Sequence, residues 1–292
     1  MKIYGLIIVA SAILFNQIGY AQIQFDKVEI KTTKIAEDLY MLEGEGGNIG
    51  VSIGEDGIFL IDDQYAPLTP KILTAIRELS DKEIHFAFNT HFHGDHTGGN
   101  ENLGNIGVDI VAHDNVYKRL KDQNTGGLPI ITFNNKLTFH INGMHIRTIH
   151  YKNAHTDGDS IVYFDGKNVI HMGDIYNDRN YPYIDLPANG SFIGIINAIE
   201  DTIANINDET IVMAGHGPII NKNKLIIQLG ELKKMYRIME VLIEQNLTLG
   251  DVIELSPYKE YDAVWGNGFV NPRTFIETTY ISISKTIKNK AM

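Results

Sequence analysis

A layered α/β sandwich of αββα type is what the sequence predicts, on three observations. Strand-like apolar runs alternate with amphipathic helices in both halves of the chain. Turn residues pair several of those runs into hairpins. No Pro/Gly/Ser linker, composition shift, repeat or low-complexity run divides residues 28–245, so a single domain carries the pattern.

The first twenty-one residues stand outside that pattern. Met1 and Lys2 lead into an apolar run from Ile3 to Phe15, followed by Gln17, Gly19 and Ala21. This is the n-region, h-region and small-residue end of a signal peptide, with cleavage expected after Ala21. Asn16 and Gln17 stop the run short of the roughly 20 apolar residues that a membrane span needs. Residues 1–21 are therefore expected to be removed, leaving 22–292 as a periplasmic or secreted domain without stable membrane insertion.

The elements follow in order. Gly50 to Ile53 and Ile58 to Ile61 flank the turn Glu55-Asp56-Gly57 as a hairpin. Thr69 and Pro70 then suit the N-cap and first position of a helix along which Ile72, Leu73, Ile76 and Leu79 recur. Ile84 to Phe88 and Asp109 to Ala112 are short strands. In the second half, Ile130 to Ile141 and Met144 to Tyr151 are joined by Asn142-Gly143, a strong hairpin signal. Ile161 to Phe164 and Val169 to Met172 form the next hairpin. Ile195, Ile196, Ile199 and Ile203 mark a helix, Thr210 to Ala214 a buried strand, and Leu225 to Leu242 a long amphipathic helix. From about Thr248 a tail with Trp265, Gly266 and Gly268 ends in a further helical stretch.

Composition narrows the function. Of 292 residues, 43% are hydrophobic and 21% charged, enough for a sizeable core. Twenty-five basic against 36 acidic side chains give a net charge of −11, which repels phosphate backbones and argues against a nucleic-acid partner. There is no Cys, which excludes disulfides, thiolate metal sites, a cysteine nucleophile and a lipoprotein anchor. Any metal must be held by His, Asp or Glu.

One stretch supplies such donors in bulk. His91-Phe92-His93-Gly94-Asp95-His96 places four potential ligands in six residues directly after a predicted strand. Histidines two apart on an extended segment project to one side, and a turn at Gly94 can carry Asp95 and His96 toward a second centre. A hydrolytic zinc takes about three protein ligands and keeps a position open for water. Further donors are therefore needed. His155 in Ala154-His155-Thr156, Asp174 in Met172-Gly173-Asp174 and His216 in Gly215-His216-Gly217 each follow a strand, where α/β sites collect.

The H-x-H-x-D-H motif, the later His, Gly-Asp and Gly-His-Gly elements, and their order resemble the metallo-β-lactamase superfamily of di-zinc hydrolases. The resemblance covers roughly residues 30–245. It implies a four-layer αβ/βα sandwich with two Zn²⁺ per chain between two β-sheets. His91, His93 and His155 would hold the first zinc, Asp95, His96 and His216 the second, with Asp174 the bridging carboxylate. Imidazole-rich donors suit zinc, whereas superfamily members that carry iron usually place a Glu where His93 stands. Asp62 resembles an aspartate that buttresses a ligating histidine. Gly44, Gly46, Gly47 and Asn48 form a hairpin tip of the kind that can overhang the site.

The resemblance also implies the chemistry. A zinc-bridging hydroxide attacks a carbonyl, and Asp95 is the candidate catalytic residue that orients it and shuttles its proton. Tyr176, Tyr181, Tyr183 and Phe192 are candidates to line an apolar cleft. His85, His113, His140, His145, His150 and His171 read as structural, with His113 the exception closest to the cleft surface. Lys233, Lys234 and Arg237 read as the wet face of the long helix. Export and acidity favour a small-molecule substrate with a cyclic amide or ester bond. A β-lactam comes first, a lactone or other (thio)ester second, and a non-catalytic zinc-binding role is remote. Arg179 is the cation nearest Asp174 in sequence that could read a substrate carboxylate.

Overall fold

The computed structural model describes residues 24–177 and 180–291; the expected signal peptide and Arg179 lie outside the described residues. Two mixed sheets lie between helical layers. The first contains β1 (Lys31–Ala36), β2 (Leu39–Glu43), β3 (Ile49–Gly54), β4 (Gly57–Ile61), β5 (Ile84–Asn89), β6 (Asp109–His113) and β7 (Ile131–Phe133), side by side in chain order. β1 to β4 are antiparallel neighbours. β4 to β7 are parallel, as crossovers through α1 (Thr69–Leu79), α2 (Gly94–Thr97), α3 (Asn100–Asn105) and α4 (Asp114–Asp122) require. The second sheet runs β13 (Ile220–Asn221), β12 (Ile211–Met213), β11 (Val169–His171), β10 (Ser160–Asp165), β9 (Met144–His150) and β8 (Lys136–Ile141). α5 (Phe192–Asn205) connects the parallel pair β11 and β12. α6 (Lys222–Glu244), α7 (Leu249–Leu255), α8 (Asp262–Trp265) and α9 (Pro272–Ala291) follow β13.

Period-two alternation builds the layers. On β4, Ile58 and Leu60 pack toward Ile72, Ala75 and Ile76 of α1, while Phe59 and Ile61 face the other sheet. On β10, Val162 and Phe164 meet them there, and Ile161 and Tyr163 turn outward to α5 and α6. The tail belongs to this outer layer: Val252, Tyr258, Trp265, Phe275, Ile276 and Ile283 are buried in the same cluster as Phe192 and Met239. On the exposed face of α6, Lys233, Lys234 and Arg237 pair with Glu200, Glu231 and Glu240. No helix among the described residues is long and apolar enough to cross a membrane.

Two expectations shift in detail. The run from Ile130 to Ile141 is two strands: β7 closes the first sheet, and the chain passes at Asn134 and Asn135 to β8 of the second. Thr69 is not an N-cap. A 3-10 turn, Ala66–Leu68, leads into α1, so Thr69 is already helical, and its hydroxyl accepts a hydrogen bond from Asn102 instead.

The parallel strands end on one edge of the sandwich, and the seven predicted metal ligands gather there. At the opposite edge the β3–β4 and β8–β9 turns clasp each other. Asn142 Oδ1 accepts from the Asp56 amide, the Asn142 amide donates to Asp56 Oδ2, and Asn142 Nδ2 donates to the Gly57 carbonyl. Asn142 has φ 55°, a left-handed conformation that Asn tolerates better than most residues. Replacing Asn142 with Ala removes two side-chain hydrogen bonds and adds backbone strain. Unfolding in urea is expected to show a loss of about 1–3 kcal/mol, with bound metal unchanged because the clasp is at the far edge.

Candidate metal centre

The site is assembled from the C-terminal ends of β4, β5, β9, β11 and β12, the side of an open α/β sheet on which ligands are bound. After β5 the chain stays extended to His93 (ψ 147°) and then enters α2, a single helical turn. That turn, rather than a reversal at Gly94, carries Asp95 and His96 to the far side of His91. His155 comes from the β9–β10 connection, Asp174 from the 3-10 turn after β11, and His216 from the loop after β12.

The seven residues form two adjacent groups. His91, His93, His155 and Asp174 make one and Asp95, His96 and His216 the other, with the donor atoms of each group within 4.8 Å of one another. In the first, His93 Nδ1 lies 3.1 Å from His91 Nε2 and 2.9 Å from His155 Nε2. Asp174 Oδ2 lies 3.9 Å and 3.8 Å from those two Nε2 atoms. In the second, His96 Nε2 is 3.3 Å from His216 Nε2, and Asp95 Oδ2 is 3.2 Å from His216 Nε2. Asp174 stands between the groups, its Oδ1 3.2 Å from His96 Nε2.

Four of the five rings, those of His91, His93, His96 and His155, are held from behind, which assigns their tautomers. His155 Nδ1 donates to the Tyr183 carbonyl at 2.7 Å, His93 Nε2 donates to Asp185 Oδ2 at 2.9 Å, and His91 Nδ1 donates to Thr90 Oγ1 at 3.1 Å. The Thr90 hydroxyl passes its own proton to Asp62 Oδ2. Asp62 also accepts the Thr90 amide and, at 2.8 Å, His96 Nδ1, so it is the buttress that the sequence suggested. With every outward nitrogen protonated, the inward nitrogens present lone pairs to one another. Burial holds His155 at about 4 and His91 well below the ordinary histidine range, so neither relieves the crowding by taking a proton. A cation is what this donor set fits.

The second group makes the same demand through charge. Burial disfavours a charge on His96, yet Asp174, Asp95 and Asp62 outweigh it and raise the ring well above the ordinary range. His216 is raised to about 9 against burial by Asp174 and Asp95. The carboxylates thus draw protons onto the neighbouring rings, and Asp174 Oδ1 is buried without a hydrogen bond. A divalent cation would satisfy all of these atoms.

The inner part of the hairpin tip is buried and bonded beside the second group. Gly47 donates to the Asp95 carbonyl, Asn48 Nδ2 donates to the Ala214 and Gly217 carbonyls, and buried His171 donates to the Asn48 carbonyl. The tip is pinned beneath the second group, and a Cβ on Gly47 would lie 2.2 Å from His96 Cε1. Three of the four proposed cleft aromatics are core: Tyr176, Tyr181 and Phe192 are buried under α5, α6 and the tail, and only Tyr183 reaches the site. His113 is also buried, stacked on His150 with ring centroids 3.6 Å apart and bonded to the Asn134 carbonyl. Sequence reading missed Asp185 and the Tyr183 carbonyl. Asp185 accepts the Ala188 amide, so its only local sign is that of a cap before Leu186-Pro187.

Over residues 43–216 the sequence matches the family model described as the metallo-beta-lactamase superfamily. The chain belongs to that superfamily. Its members are metal-dependent hydrolases, and the His/Asp groups of this chain fit a metal site. The fold is similar to solved metallo-beta-lactamases. A protein from Pontibacter korlensis aligns with TM-score 0.63 and 22% identity over 70% of this chain and 99% of its own. DIM-1 aligns with TM-score 0.64 and 17% identity over 72% and 100%. TMB-1 aligns with TM-score 0.62 and 17% identity over 71% and 98%. No curated protein matches the sequence.

In a superfamily hydrolase built this way, the acceptor behind His93 governs metal affinity. Asp185→Ala is expected to weaken metal binding about 10- to 100-fold in competition with a chromophoric chelator, while the fold is retained. Unchanged affinity would show that His93 needs no such support.

Proposed function

We propose that this protein is an exported di-zinc hydrolase that opens cyclic amides, with β-lactams the first choice of substrate. The observation that carries the reading is the pair of adjacent donor groups sharing Asp174. His91, His93 and His155 would hold one zinc, and Asp95, His96 and His216 the other, with Asp174 between them. When bound, the two ions would polarise a carbonyl and bring the pKa of a water from 15.7 toward about 7. No cysteine or serine nucleophile is then required, in keeping with a chain that has no Cys.

The protein's own part is acceptance and orientation. Burial opposes ionisation of Asp95, but His96 and His216 hold its carboxyl at about 2, so Oδ2 remains an anionic acceptor. It is partly exposed at the mouth, unlike His96. From there Oδ2 can fix the attacking water, take its proton and return it to the departing nitrogen or oxygen.

A second reading, hydrolysis of a lactone or other (thio)ester, is favoured by the state of Arg119. Arg119 lies over Phe92, which borders His93, but its guanidinium is tied by two 2.7 Å bonds to Asp157. It offers little to a substrate carboxylate, and uncharged substrates need none.

The deciding experiment combines metal analysis with a panel of lactams, lactones and thioesters, run with and without chelator. About two zinc ions per chain and chelator-sensitive turnover are expected. One ion or fewer after zinc loading would sink the binuclear reading, and lactone rates far above lactam rates would invert the order of substrates. Asp95→Asn should lower turnover about 100-fold or more. Processing is checked by sequencing the exported protein's N terminus, expected at Gln22.

A further inference from the structure

The superfamily match ends at His216, and the chain beyond it reaches back to the mouth of the site. The contact is made by α8, α9 and the loop between them. The Tyr181 amide donates to the Trp265 carbonyl at 3.2 Å, and the Tyr181 hydroxyl donates to Asp262 Oδ1 at 2.8 Å. The Tyr181 ring stacks on Phe275 with centroids 4.4 Å apart. Gly268 lies so close to Asn180 that a Cβ there would sit 1.8 Å from Asn180 Oδ1. This grip fixes the segment that carries Tyr183 and Asp185, and it brings the next tail residue, Phe269, to the site.

Phe269 is 73% exposed, although hydrophobicity alone would hide its ring. It meets the Tyr183 ring edge-on at 5.4 Å. Tyr183 in turn stacks beside His93 at 5.6 Å and lies 5.4 Å from His155. Two aromatic rings therefore run outward from the first histidine group, and the tail supplies the outer one. Beside the first histidine group Arg119 is engaged by Asp157, and the two rings themselves carry no charge.

We propose that Phe269 and Tyr183 form an apolar ledge that receives a neutral alkyl or aryl substituent of the substrate while its carbonyl lies at the metal centre. Phe269 is then a specificity-determining residue that holds no metal and moves no proton. The inference rests on the first histidine group being a metal site. The substituent covers an exposed aromatic face, gaining the offset or edge-on contact that aromatic rings prefer.

The test uses the zinc-loaded full chain and two uncharged thiol probes, mercaptoacetamide carrying an N-methyl or an N-benzyl group, with binding read by calorimetry. Wild type is expected to bind the benzyl probe about tenfold more tightly, the scale of burying part of one aromatic ring. In Phe269→Ala that ratio should fall to about twofold or less, with methyl-probe affinity and zinc content unchanged, and Phe269→Leu should keep most of it. An unchanged ratio in Phe269→Ala overturns the ledge and leaves the metal reading intact. Loss of methyl-probe binding in Phe269→Ala overturns it too, by showing a structural role. If the wild-type chain takes up no zinc, the metal reading fails and the ledge with it; if zinc-loaded wild type binds neither probe or both equally, the ledge alone is overturned.

Discussion

Lone pairs and carboxylates that repel one another converge at the edge where the two sheets meet, and most of the local structure follows from holding them there. The inward nitrogens of His91 and His155, each close to that of His93, have no proton to share, because the ring protons sit on the outward nitrogens that donate to Thr90, Asp185 and the Tyr183 carbonyl. Left to themselves such groups would rotate apart into water. They stay because each ring has a partner behind it and because burial denies them another. The arrangement is therefore preorganised for a cation, with the reorganisation already met by folding.

The sandwich supplies the rigidity this needs. Asp62, at the end of β4, carries a left-handed φ of 61° and serves Thr90 and His96 together. One carboxylate thereby couples the H-x-H-x-D-H segment to the neighbouring strand. The hairpin tip is drawn under the same group by Asn48 and His171, so the second sheet supports a residue pair that belongs to the first. These few bonds link both sheets to the donors, whereas the clasp at Asn142 bonds to Asp56 and Gly57 at the opposite edge.

The legible part of the chain was the part whose chemistry is local. Four donors in six residues announce themselves, and strand alternation with the Asn142-Gly143 turn gave the layers. His155, Asp174 and His216 lie far apart in sequence and became meaningful only through their order relative to that motif. What escaped was contributed without a side-chain signature. Tyr183 orients His155 through a backbone carbonyl, which any residue has, and Asp185 looks like an ordinary cap. The aromatic run after Asp174 misled for a related reason: closeness in sequence to a donor does not decide which side of the chain is covered. The tail decided that, by burying Tyr176, Tyr181 and Phe192 beneath its helices.

The same tail separates two tasks. The donors of both groups come from residues 91–216, within the region that matches the superfamily, whereas the outer aromatic ring at the mouth comes from Phe269. The grip on Asn180 and Tyr181 links the tasks mechanically, since the segment it steadies carries the supports of His93 and His155. Phe269, beside that grip, is largely exposed. A hydrolase constructed in this way can keep its reaction and alter what it acts on, because the groups that set the chemistry constrain one another while Phe269, the ring that meets the substituent, is exposed.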